Sequence, residues 1–301
     1  MEEVLARAEK LADIPRPVLI RGERGTGKEL LASYIHAKGA RASGPFLAVN
    51  CAVYTDELLA SELFGHEKGA FTGADSRRAG CVERAAGGTL FLDEIGNMSV
   101  GFQEKLLRVI ETKRFERVGG GAALEADVRF VSATNADIES MIERNEFRAD
   151  FYDRIAFETL VLPPLRERRE DIPLLMDYFS VCLTAEVPNL EARRFSREAV
   201  RLMSEYYWPG NIRELKNVVE RVQLREGEAE IGTAELPPEI TASAPAGDTF
   251  EEKVEAYRHH LILTALRDSG FSQKRAAEKL GMSYDQFRHY FRKYNLKDLL
   301  P

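Results

Sequence analysis

A glycine-rich segment near the N-terminus has the spacing of a phosphate-binding loop. Residues 22–28 read Gly-Glu-Arg-Gly-Thr-Gly-Lys and lie between an apolar run and an amphipathic helical pattern. Glycines let the backbone N–H groups of such a loop point inward, the next helix adds partial positive charge, and Lys28 reaches the terminal phosphates. A turn without a ligand is the simpler alternative. Strand, loop and helix together favour a nucleoside triphosphate site, with the predicted residues Gly22, Glu23, Arg24, Gly25, Thr26, Gly27, Lys28 and Glu29.

An acidic pair supplies the hydrolytic chemistry that such a loop needs. Glu29 occupies the position where this motif normally places a Ser or Thr hydroxyl for Mg²⁺, so the metal needs another ligand. Asp93 ends an apolar run and can hold Mg²⁺ directly or through water. Glu94 is then placed to polarise the attacking water. Such a pair can also cap a helix, but the upstream loop favours the catalytic interpretation.

Three further polar residues end neighbouring apolar runs: Asn50, Thr134 and Asn135. Their side chains could reach the region of the γ-phosphate, because parallel strands end at the same edge of a sheet. Taken singly, each is more typical of a turn that ends a strand. We therefore predict a catalytic role for them only together with the loop and the acidic pair.

Arginines in two segments could serve the same site. Arg148 and Arg154 are interleaved with aspartates, which is typical of a solvated helix with ion pairs. In an oligomeric ATPase, arginines from a neighbouring copy can instead stabilise the transition state. Segment 208–215 has a Pro-Gly turn, Asn211 as a predicted helix cap, and Arg213 on the first turn of that helix. Arg213 could reach back to the nucleotide.

The elements that must position these residues follow an α/β pattern. Buried strands of a mainly parallel sheet are predicted at residues 17–22, 45–50, 89–94, 128–135 and 157–164. From about residue 168 to 227 the periodicity is helical, with no strand predicted, and 235–248 is rich in Pro, Ala and Ser. We predict a nucleotide-binding subdomain at 1–167, a helical lid at 168–234, a linker at 235–249 and a further domain at 250–301.

The last of these segments has the layout of a helix-turn-helix. Ser272 and Ser283 stand where two helices would begin, Gly281 forms the turn, and Ala277 allows close approach. Gln and Arg can read base edges, and Lys suits phosphates. The predicted DNA-contacting residues are Lys274, Lys279, Ser283, Tyr284, Gln286, Arg288, His289 and Arg292. A helical hairpin with a basic face is the alternative.

Charge and composition narrow the functional class. The net charge of −7 argues against a protein that binds nucleic acid over its whole surface. Between residues 270 and 297, however, there are seven Lys and Arg and only two acidic residues, which indicates a separate module with a polyanionic partner. No apolar run approaches the roughly 18 residues of a membrane span, and the charged N-terminus is unlike a signal peptide. The widely spaced Cys51, Cys81 and Cys182 fit neither a disulfide framework nor a metal site, which favours a reducing cytoplasm.

With these motifs assembled, the chain resembles the bacterial enhancer-binding proteins, the AAA+ activators of sigma-54 RNA polymerase. The resemblance covers essentially the whole length and rests on the segments GERGTGKE, GHEKGAFTGA, GGTLFLDE, FRADFYDRIAF, LPPLRERREDI and WPGNIRELKN. It implies a P-loop ATPase with a helical lid and a Fis-like helix-turn-helix. Glu29 also matches this family.

The resemblance assigns roles to several residues. It implies that Asn50 and Glu94 form a coupling switch, that Arg148 and Arg154 act in trans, and that Arg213 is the sensor-II arginine. It also implies that a surface loop touches sigma-54 through Gly69, Ala70, Phe71, Thr72, Gly73 and Ala74. The glycines of this loop can absorb dihedral changes while Phe71 and Thr72 form the tip.

The resemblance further implies ATP and Mg²⁺ as cofactors, a ring of copies (a hexamer), enhancer DNA, and remodelling of the closed polymerase–promoter complex. No sensory domain precedes the ATPase segment, so we expect control by a separate inhibitory protein and a role at a phage-shock or envelope-stress operon. Family members usually carry an adenine-enclosing segment before the first helix. This chain begins inside that helix at Met1, so we expect either a longer native start or a lower nucleotide affinity.

Two rival functions remain open from sequence. An AAA+ unfoldase or DNA-remodelling motor would explain an aromatic loop but neither the helix-turn-helix nor the full GAFTGA segment. A DNA-binding regulator that uses ATP only as a ligand would not need Glu94 or the two trans arginines.

Overall fold

The computed structural model describes residues 1–241, 250–294 and 296. The chain forms two compact units: Met1–Arg168 with Trp208–Leu215, and Arg169–Tyr207 with Lys216–Pro301. Most of the predicted linker, residues 242–249, lies outside the described residues, as do residue 295 and residues 297–301 of the predicted DNA-binding domain.

The first unit alternates strands and helices. Its elements in chain order are α1 Glu2–Ala12, β1 Val18–Arg21, α2 Lys28–Lys38, β2 Phe46–Asn50, α3 Asp56–Phe64, β3 Gly65–His66, β4 Arg78–Ala79, α4 Cys81–Arg84, β5 Thr89–Asp93, α5 Val100–Thr112, β6 Arg114–Glu116, β7 Ala123–Glu125, β8 Arg129–Thr134, α6 Ile138–Glu143, α7 Ala149–Ile155 and β9 Glu158–Val161. Each of the predicted strands is present, shortened by up to three residues at its ends.

The main sheet has the strand order β2–β5–β8–β1–β9, and every pairing in it is parallel. The three central strands β1, β5 and β8 are buried on both faces for most of their length, whereas the outer strands β2 and β9 are only partly buried. In β5, Leu90 and Leu92 pack into one core cluster and Phe91 into the other. The strands therefore end together at one edge, which places the segments after β1, β5 and β8 side by side. This is the edge that the sequence predicted for nucleotide chemistry.

The second unit is mainly helical. Its elements are α8 Asp171–Glu186, β10 Arg194–Phe195, α9 Arg197–Glu205, α10 Asn211–Gln223 (which begins in the first unit), β11 Glu230–Ile231, α11 Pro238–Thr241, α12 Phe250–Asp268, α13 Gln273–Lys279 and α14 Tyr284–Lys293. The prediction that 168–227 contains no strand was wrong, because β10 pairs in parallel with β11. The start of the predicted linker also differs: α11 lies within it, and Leu236 and Ile240 are buried.

Helices α12, α13 and α14 enclose a small apolar core of their own. Its central side chains are the fully buried Phe287 and Leu266, and Ala276 and Ala277 are buried against them. Gly281, with φ of +63°, turns the chain between α13 and α14, as predicted. No helix within residues 1–241 or 250–294 has the length and apolar character needed to cross a membrane.

Candidate functional site

The phosphate loop, residues 22–28, connects β1 to α2. Gly25 and Gly27 have φ of +76° and +99°, which side-chain-bearing residues rarely adopt. A Cβ on Gly25 would also lie 2.3 Å from the Gly210 carbonyl oxygen. The Lys28 ammonium folds back over the loop and donates to the carbonyls of Gly22 and Glu23 at 3.1 and 3.3 Å. The loop thus forms a cradle at the N-terminus of α2, where polyphosphates bind.

Glu94 lies next to this lysine. Its carboxylate is 4.0 Å from the Lys28 ammonium, and both side chains are buried. With the Asn135 amide assigned in the orientation that pairs donor with acceptor, its nitrogen faces this carboxylate and donates to Glu94 Oε1 at 3.0 Å and also to Oε2. Burial lowers the pKa of Lys28, and the nearby Glu94 and Asp93 carboxylates oppose that shift. The structure thus brings together Lys28, Glu94 and Asn135, which come from three different segments.

The backbone at Glu94 is strained. Its φ is +54°, and its carbonyl accepts hydrogen bonds from the Asn97 backbone and side chain at 3.0 and 3.2 Å. Asp93 Oδ1 accepts from the Glu94 N–H at 3.0 Å. A residue held in this sparsely populated conformation costs about 1–3 kcal/mol, which is characteristic of functional positions. Asp93 is the candidate carboxylate for a metal at this edge, and the Thr26 hydroxyl donates to the Glu23 carbonyl at 2.8 Å.

The other predicted strand-end residues behave differently. Asn50 pairs with Asp93 across β2 and β5, and its side-chain oxygen accepts from the Ala52 N–H at 2.9 Å. Thr134 is fully buried, and its hydroxyl accepts from the Ala136 N–H at 3.0 Å. In this arrangement the Thr134 hydroxyl holds the turn that presents Asn135, and a role of Thr134 at the γ-phosphate stays a prediction.

Both arginines predicted to act in trans form ion pairs within the chain. Arg148 contacts Asp150 through two hydrogen bonds of 3.0 and 2.7 Å, and Arg154 contacts Glu111 at 2.7 Å. The side chain of Arg154 is largely exposed and that of Arg148 partly so. Exposed pairs of this kind contribute little to stability because solvent screens them, so a stronger anionic partner would displace them readily.

Segment 208–215 packs on the phosphate loop. Arg213 is exposed, and its Cβ lies 3.2 Å from the position that a Cβ on Gly25 would take. Asn211 was predicted to cap α10, and this was wrong. Its side chain is fully buried and bonds instead to Glu23, to the Arg24 carbonyl and to the Leu165 N–H. Sequence reasoning missed this role because the partners are far away along the chain.

The loop that carries Phe71 connects the antiparallel strands β3 and β4. Gly69 and Gly73 have φ of +81° and +97°, and a Cβ on either would meet nothing within 4 Å. Phe71 is 42% exposed and rests edge-on against His66, with ring centroids 5.0 Å apart. Ala70 packs against Gly119 of the β6–β7 loop. Phe71 is therefore a presented aromatic on a loop whose glycines face open space, as the sequence predicted.

The base of this loop is fastened to its neighbours. Arg117 is buried and forms ion pairs with Glu67 and Glu83 at 2.9 and 2.6 Å. The Val118 N–H donates to the Gly65 carbonyl, and the Glu67 N–H donates to the Val118 carbonyl. The tip of the loop thus stands on a base that ion pairs and backbone hydrogen bonds join to the β6–β7 loop.

The predicted DNA-contacting residues divide into two groups. All eight are exposed, and the first group is Lys274, Tyr284, Arg288, His289 and Arg292. The side chains of the second group also bond within the chain. Lys279 forms an ion pair with Asp268 at 2.5 Å. Ser283 and Gln286 form a reciprocal capping box at the start of α14, so their side chains are used in starting that helix. Ser272 stands at the N-cap of α13 but makes no side-chain capping bond, which differs from the prediction.

Comparison with known families identifies this arrangement. Residues 1–161 match the family described as Sigma-54 interaction domain. The chain belongs to the sigma-54-dependent transcription activators. The rest of the chain matches the other parts of these activators: residues 166–253 match the AAA+ ATPase lid domain, and 254–294 match the bacterial regulatory proteins of the Fis family.

Several sigma-54-dependent activators align along nearly the whole chain. The Psp operon transcriptional activator of Escherichia coli (strain K12) is 46% identical over 98% of this chain and 95% of its own length. Regulatory protein AtoC of the same organism is 40% identical over 98% of this chain. The chain spans only 66% of AtoC and 61% of the Nif-specific regulatory protein of Herbaspirillum seropedicae.

Solved structures agree with this assignment. NtrX from Brucella abortus in complex with ADP superposes with a TM-score of 0.76 at 32% identity, covering 98% of this chain and 68% of that one. The ATP complex of NtrX gives a TM-score of 0.73 at 34% identity, covering 98% and 67%. The fold predicted for this activator from its sequence, a P-loop ATPase with a helical lid and a terminal helix-turn-helix, is confirmed.

Proposed function

We propose that this sigma-54-dependent activator hydrolyses ATP in a hexameric ring of copies and uses each cycle to move the loop carrying Phe71 against sigma-54. The movement remodels the closed polymerase–promoter complex. The observation that carries this proposal is Phe71: an exposed aromatic between two glycines of positive φ, on a base fastened by buried Arg117. Two-fifths of the Phe71 surface is open to a partner, and aromatic residues are enriched where proteins meet.

Each residue of the nucleotide site has a distinct task. The N–H groups of the phosphate loop and Lys28 bind the phosphates, and Glu94 orients and polarises the attacking water. Asn135 holds the Glu94 carboxylate through its amide. Release of that bond, with Asn50 as the alternative partner, is the coupling switch that the family implies. Arg213 approaches the phosphates from beside Gly25.

The acidic groups fit Mg²⁺ binding with the nucleotide. Asp93 supplies a carboxylate beside Lys28, and the described residues contain no cluster of three or more His, Cys, Asp or Glu side chains that would hold a metal alone. Mg²⁺ typically combines one or two carboxylates with substrate phosphates. Bound there, it would neutralise charge on the phosphates while Glu94 remains available for water.

Arg148 and Arg154 would complete the site of a neighbouring copy. Their present partners, Asp150 and Glu111, are at least two-fifths exposed and hold them weakly. A nucleotide on the adjacent copy offers a higher density of negative charge. Hydrolysis would then require assembly, which ties activity to the ring.

The C-terminal helices would hold the ring near its promoter. Tyr284, Arg288 and Arg292 recur at intervals of four residues along one exposed face of α14, with His289 beside them. Lys274 and Lys279 would contact phosphates, Lys279 after release from Asp268, while Ser283 and Gln286 fix the helix start. Enhancer DNA is the proposed ligand, bound by paired modules of the domain at 250–301.

The cellular setting follows from the relatives. The similarity to the Psp operon activator favours a phage-shock or envelope-stress operon as the target, with control by a separate inhibitory protein in the cytoplasm. An unfoldase or DNA-remodelling motor is disfavoured because such a motor has no need of the Fis-type module. The buried Glu94 beside Lys28 likewise disfavours a regulator that binds ATP without hydrolysing it.

The direct test is promoter opening by purified components. Wild-type protein, sigma-54 polymerase, Mg²⁺ and ATP should give open complexes on supercoiled DNA. Phe71→Ala should hydrolyse ATP within about twofold of wild type and open no promoter. Phe157→Ala, which removes another exposed phenylalanine of the first unit (55% against 42% for Phe71), is the control and should retain activation. Normal opening by Phe71→Ala would refute the proposal.

A further inference from the structure

A network of hydrogen bonds holds the side of the phosphate loop that faces segments 165–168 and 208–212. None of the catalytic roles proposed above uses these bonds. Three successive carbonyls of the loop each accept one bond. Arg24 O accepts from Asn211 Nδ2 at 3.0 Å, Gly25 O from the Ile212 N–H at 3.0 Å, and Thr26 O from Arg168 Nη2 at 2.9 Å. These donors come from segments 165–168 and 208–212.

The direction of these carbonyls determines the direction of the neighbouring N–H groups. In a trans peptide the C=O of one residue and the N–H of the next point opposite ways. The chain has no cis peptide bond among its described residues. Because the carbonyls of residues 24–26 point outward to their donors, the N–H groups of residues 25–27 point to the other side. That side is the one on which polyphosphate oxygens would lie.

Asn211 occupies the centre of the network. It is fully buried, and its φ of +52° is in the left-handed region that Asn tolerates better than most residues. Its oxygen accepts from the Leu165 N–H at 2.8 Å, while its amide nitrogen donates to Glu23 Oε2 at 3.1 Å and to Arg24 O. One amide therefore joins both supporting segments to the loop.

Glu23 is fixed from its other side. Arg166 contacts both of its oxygens, at 2.5 and 2.8 Å. The Arg166 guanidinium and then the Asn211 amide hold the pKa of Glu23 below its ordinary value, against the effect of burial. The carboxylate is thus ionised at neutral pH and accepts from both neighbours at once.

We propose that Asn211, acting through Glu23 and the Arg24 carbonyl, is a positioning residue for ATP: it holds the phosphate loop in the orientation that directs its N–H groups to the nucleotide. This inference rests on the proposed ATP site. Asn211 touches no phosphate in this arrangement. Its contribution is the preorganisation of the loop before the ligand arrives, which favours ground-state binding.

The test uses Asn211→Asp in the full-length protein. Asp keeps the size of the side chain and the acceptor for Leu165, but it removes the donor to Arg24 O and sets one carboxylate against another at Glu23. Affinity for a fluorescent ATP analogue should fall at least tenfold. KM for ATP should rise to match, with kcat changed by less than about threefold, which is the signature of lost uniform binding.

A second substitution distinguishes positioning from general damage. In the Glu23→Gln background, Asn211→Asp no longer sets one carboxylate against another, so its effect on affinity should be at least threefold smaller there than in the wild-type background. Asn189→Asp, at an exposed asparagine of φ +65°, is the matched control and should bind as wild type. Trp208 fluorescence during urea unfolding reports the folding of the first unit, since Trp208 is the single tryptophan.

The outcomes separate the two proposals. If wild-type protein fails to bind the analogue, the proposed function fails. If wild type binds and folded Asn211→Asp binds within twofold of it, or if Asn211→Asp costs the same affinity in the Glu23→Gln background as in wild type, the positioning role is overturned. If Asn211→Asp does not fold, the variant Glu23→Gln is used instead, because the Glu23 side chain is partly exposed. It should weaken binding at least threefold, while Glu198→Gln, a carboxylate likewise paired with arginine, should not. If Glu23→Gln binds the analogue as tightly as wild type does, the inference is overturned.

Discussion

The Glu94 carboxylate lies 4.0 Å from the Lys28 ammonium, and both side chains are buried at the carboxyl edge of the parallel sheet. The two residues perform different steps: Lys28 binds phosphate, and Glu94 acts on water. Their proximity means that the arrival of a triphosphate changes the electrostatic surroundings of both at once. Substituting each residue should therefore separate binding from hydrolysis.

Glu94→Gln should bind ATP yet hydrolyse it slowly. The amide retains the size of the side chain but cannot polarise water, so kcat should fall by about 10²- to 10⁴-fold. Analogue affinity should remain within about threefold of wild type. Phosphate release and equilibrium binding measure the two quantities. Glu143→Gln removes one negative charge at an exposed position on α6 and is the control for the change in net charge. If Glu94→Gln hydrolyses ATP at the wild-type rate, Glu94 is not the residue that polarises the attacking water.

Lys28→Ala should lose nucleotide binding itself. The variant removes the cation over the phosphate loop, and we expect affinity to fall at least about 100-fold, equivalent to about 2.8 kcal/mol. Calorimetric titration with ATP measures it. Lys38→Ala, at the exposed end of the same helix, should bind normally. Unchanged affinity in Lys28→Ala would contradict the assignment of the loop.

Mixing inactive variants should reveal whether the arginines act between copies. Arg154→Ala and Lys28→Ala should each lack ATPase activity. A mixed ring would pair an intact Lys28 on one copy with an intact Arg154 on its neighbour, so activity should reappear on mixing. Phosphate release across a series of mixing ratios is the measurement, with Arg108→Ala, an exposed arginine of α5, as the control for lost charge. Mixtures that stay inactive at every ratio would place Arg154 outside the neighbouring site.

The sequence predicted the main sheet because the signal is local. Each strand is an apolar run that ends in polar or glycine-rich residues, and burial on both faces maintains that composition. The glycine spacing at 22–28 and the acidic pair at 93–94 are likewise contained in short segments. Parallel strands bring these segments together at one edge of the sheet. The common location of Lys28, Glu94 and Asn135 was therefore predictable from the sequence.

Other features depend on contacts that leave no local pattern. Asn211 bonds to Glu23 across 188 residues of sequence, and its position after Pro-Gly is equally typical of a helix cap. Strands β10 and β11 have two residues each, too few for alternation to be visible. The S-x-x-Q spacing of Ser283 and Gln286 is, by contrast, a local capping-box signature, and the box forms in the structure. A DNA contact by Gln286 stays a prediction.

Stability should decline in mild acid because of His36. This residue is buried, with Nδ1 3.0 Å from the Thr89 hydroxyl, and burial lowers the pKa of its imidazole. The unfolded chain therefore takes up a proton near pH 6.5, before the folded protein does. The contribution of His36 is complete above that pH and is lost as pH falls below it toward the folded pKa.

Urea unfolding followed by Trp208 fluorescence at pH 7.5, 6.5 and 5.5 measures this dependence. His36→Gln should flatten the decline between the last two values, whereas His289→Gln, at an exposed histidine, should leave it unchanged. An identical slope in wild type and His36→Gln would assign the acid sensitivity to other groups.

Capture of sigma-54 by the nucleotide-trapped protein tests most directly whether ATP drives contact through Phe71. The protein is incubated with Mg²⁺ and a mimic of the hydrolysis transition state, then with purified sigma-54, and the complex is resolved by native electrophoresis. We predict a stable complex for wild type with the mimic, none without nucleotide, and none for Phe71→Ala under either condition. A trapped wild-type protein that leaves sigma-54 unbound, or an equally stable complex with Phe71→Ala, would contradict the account.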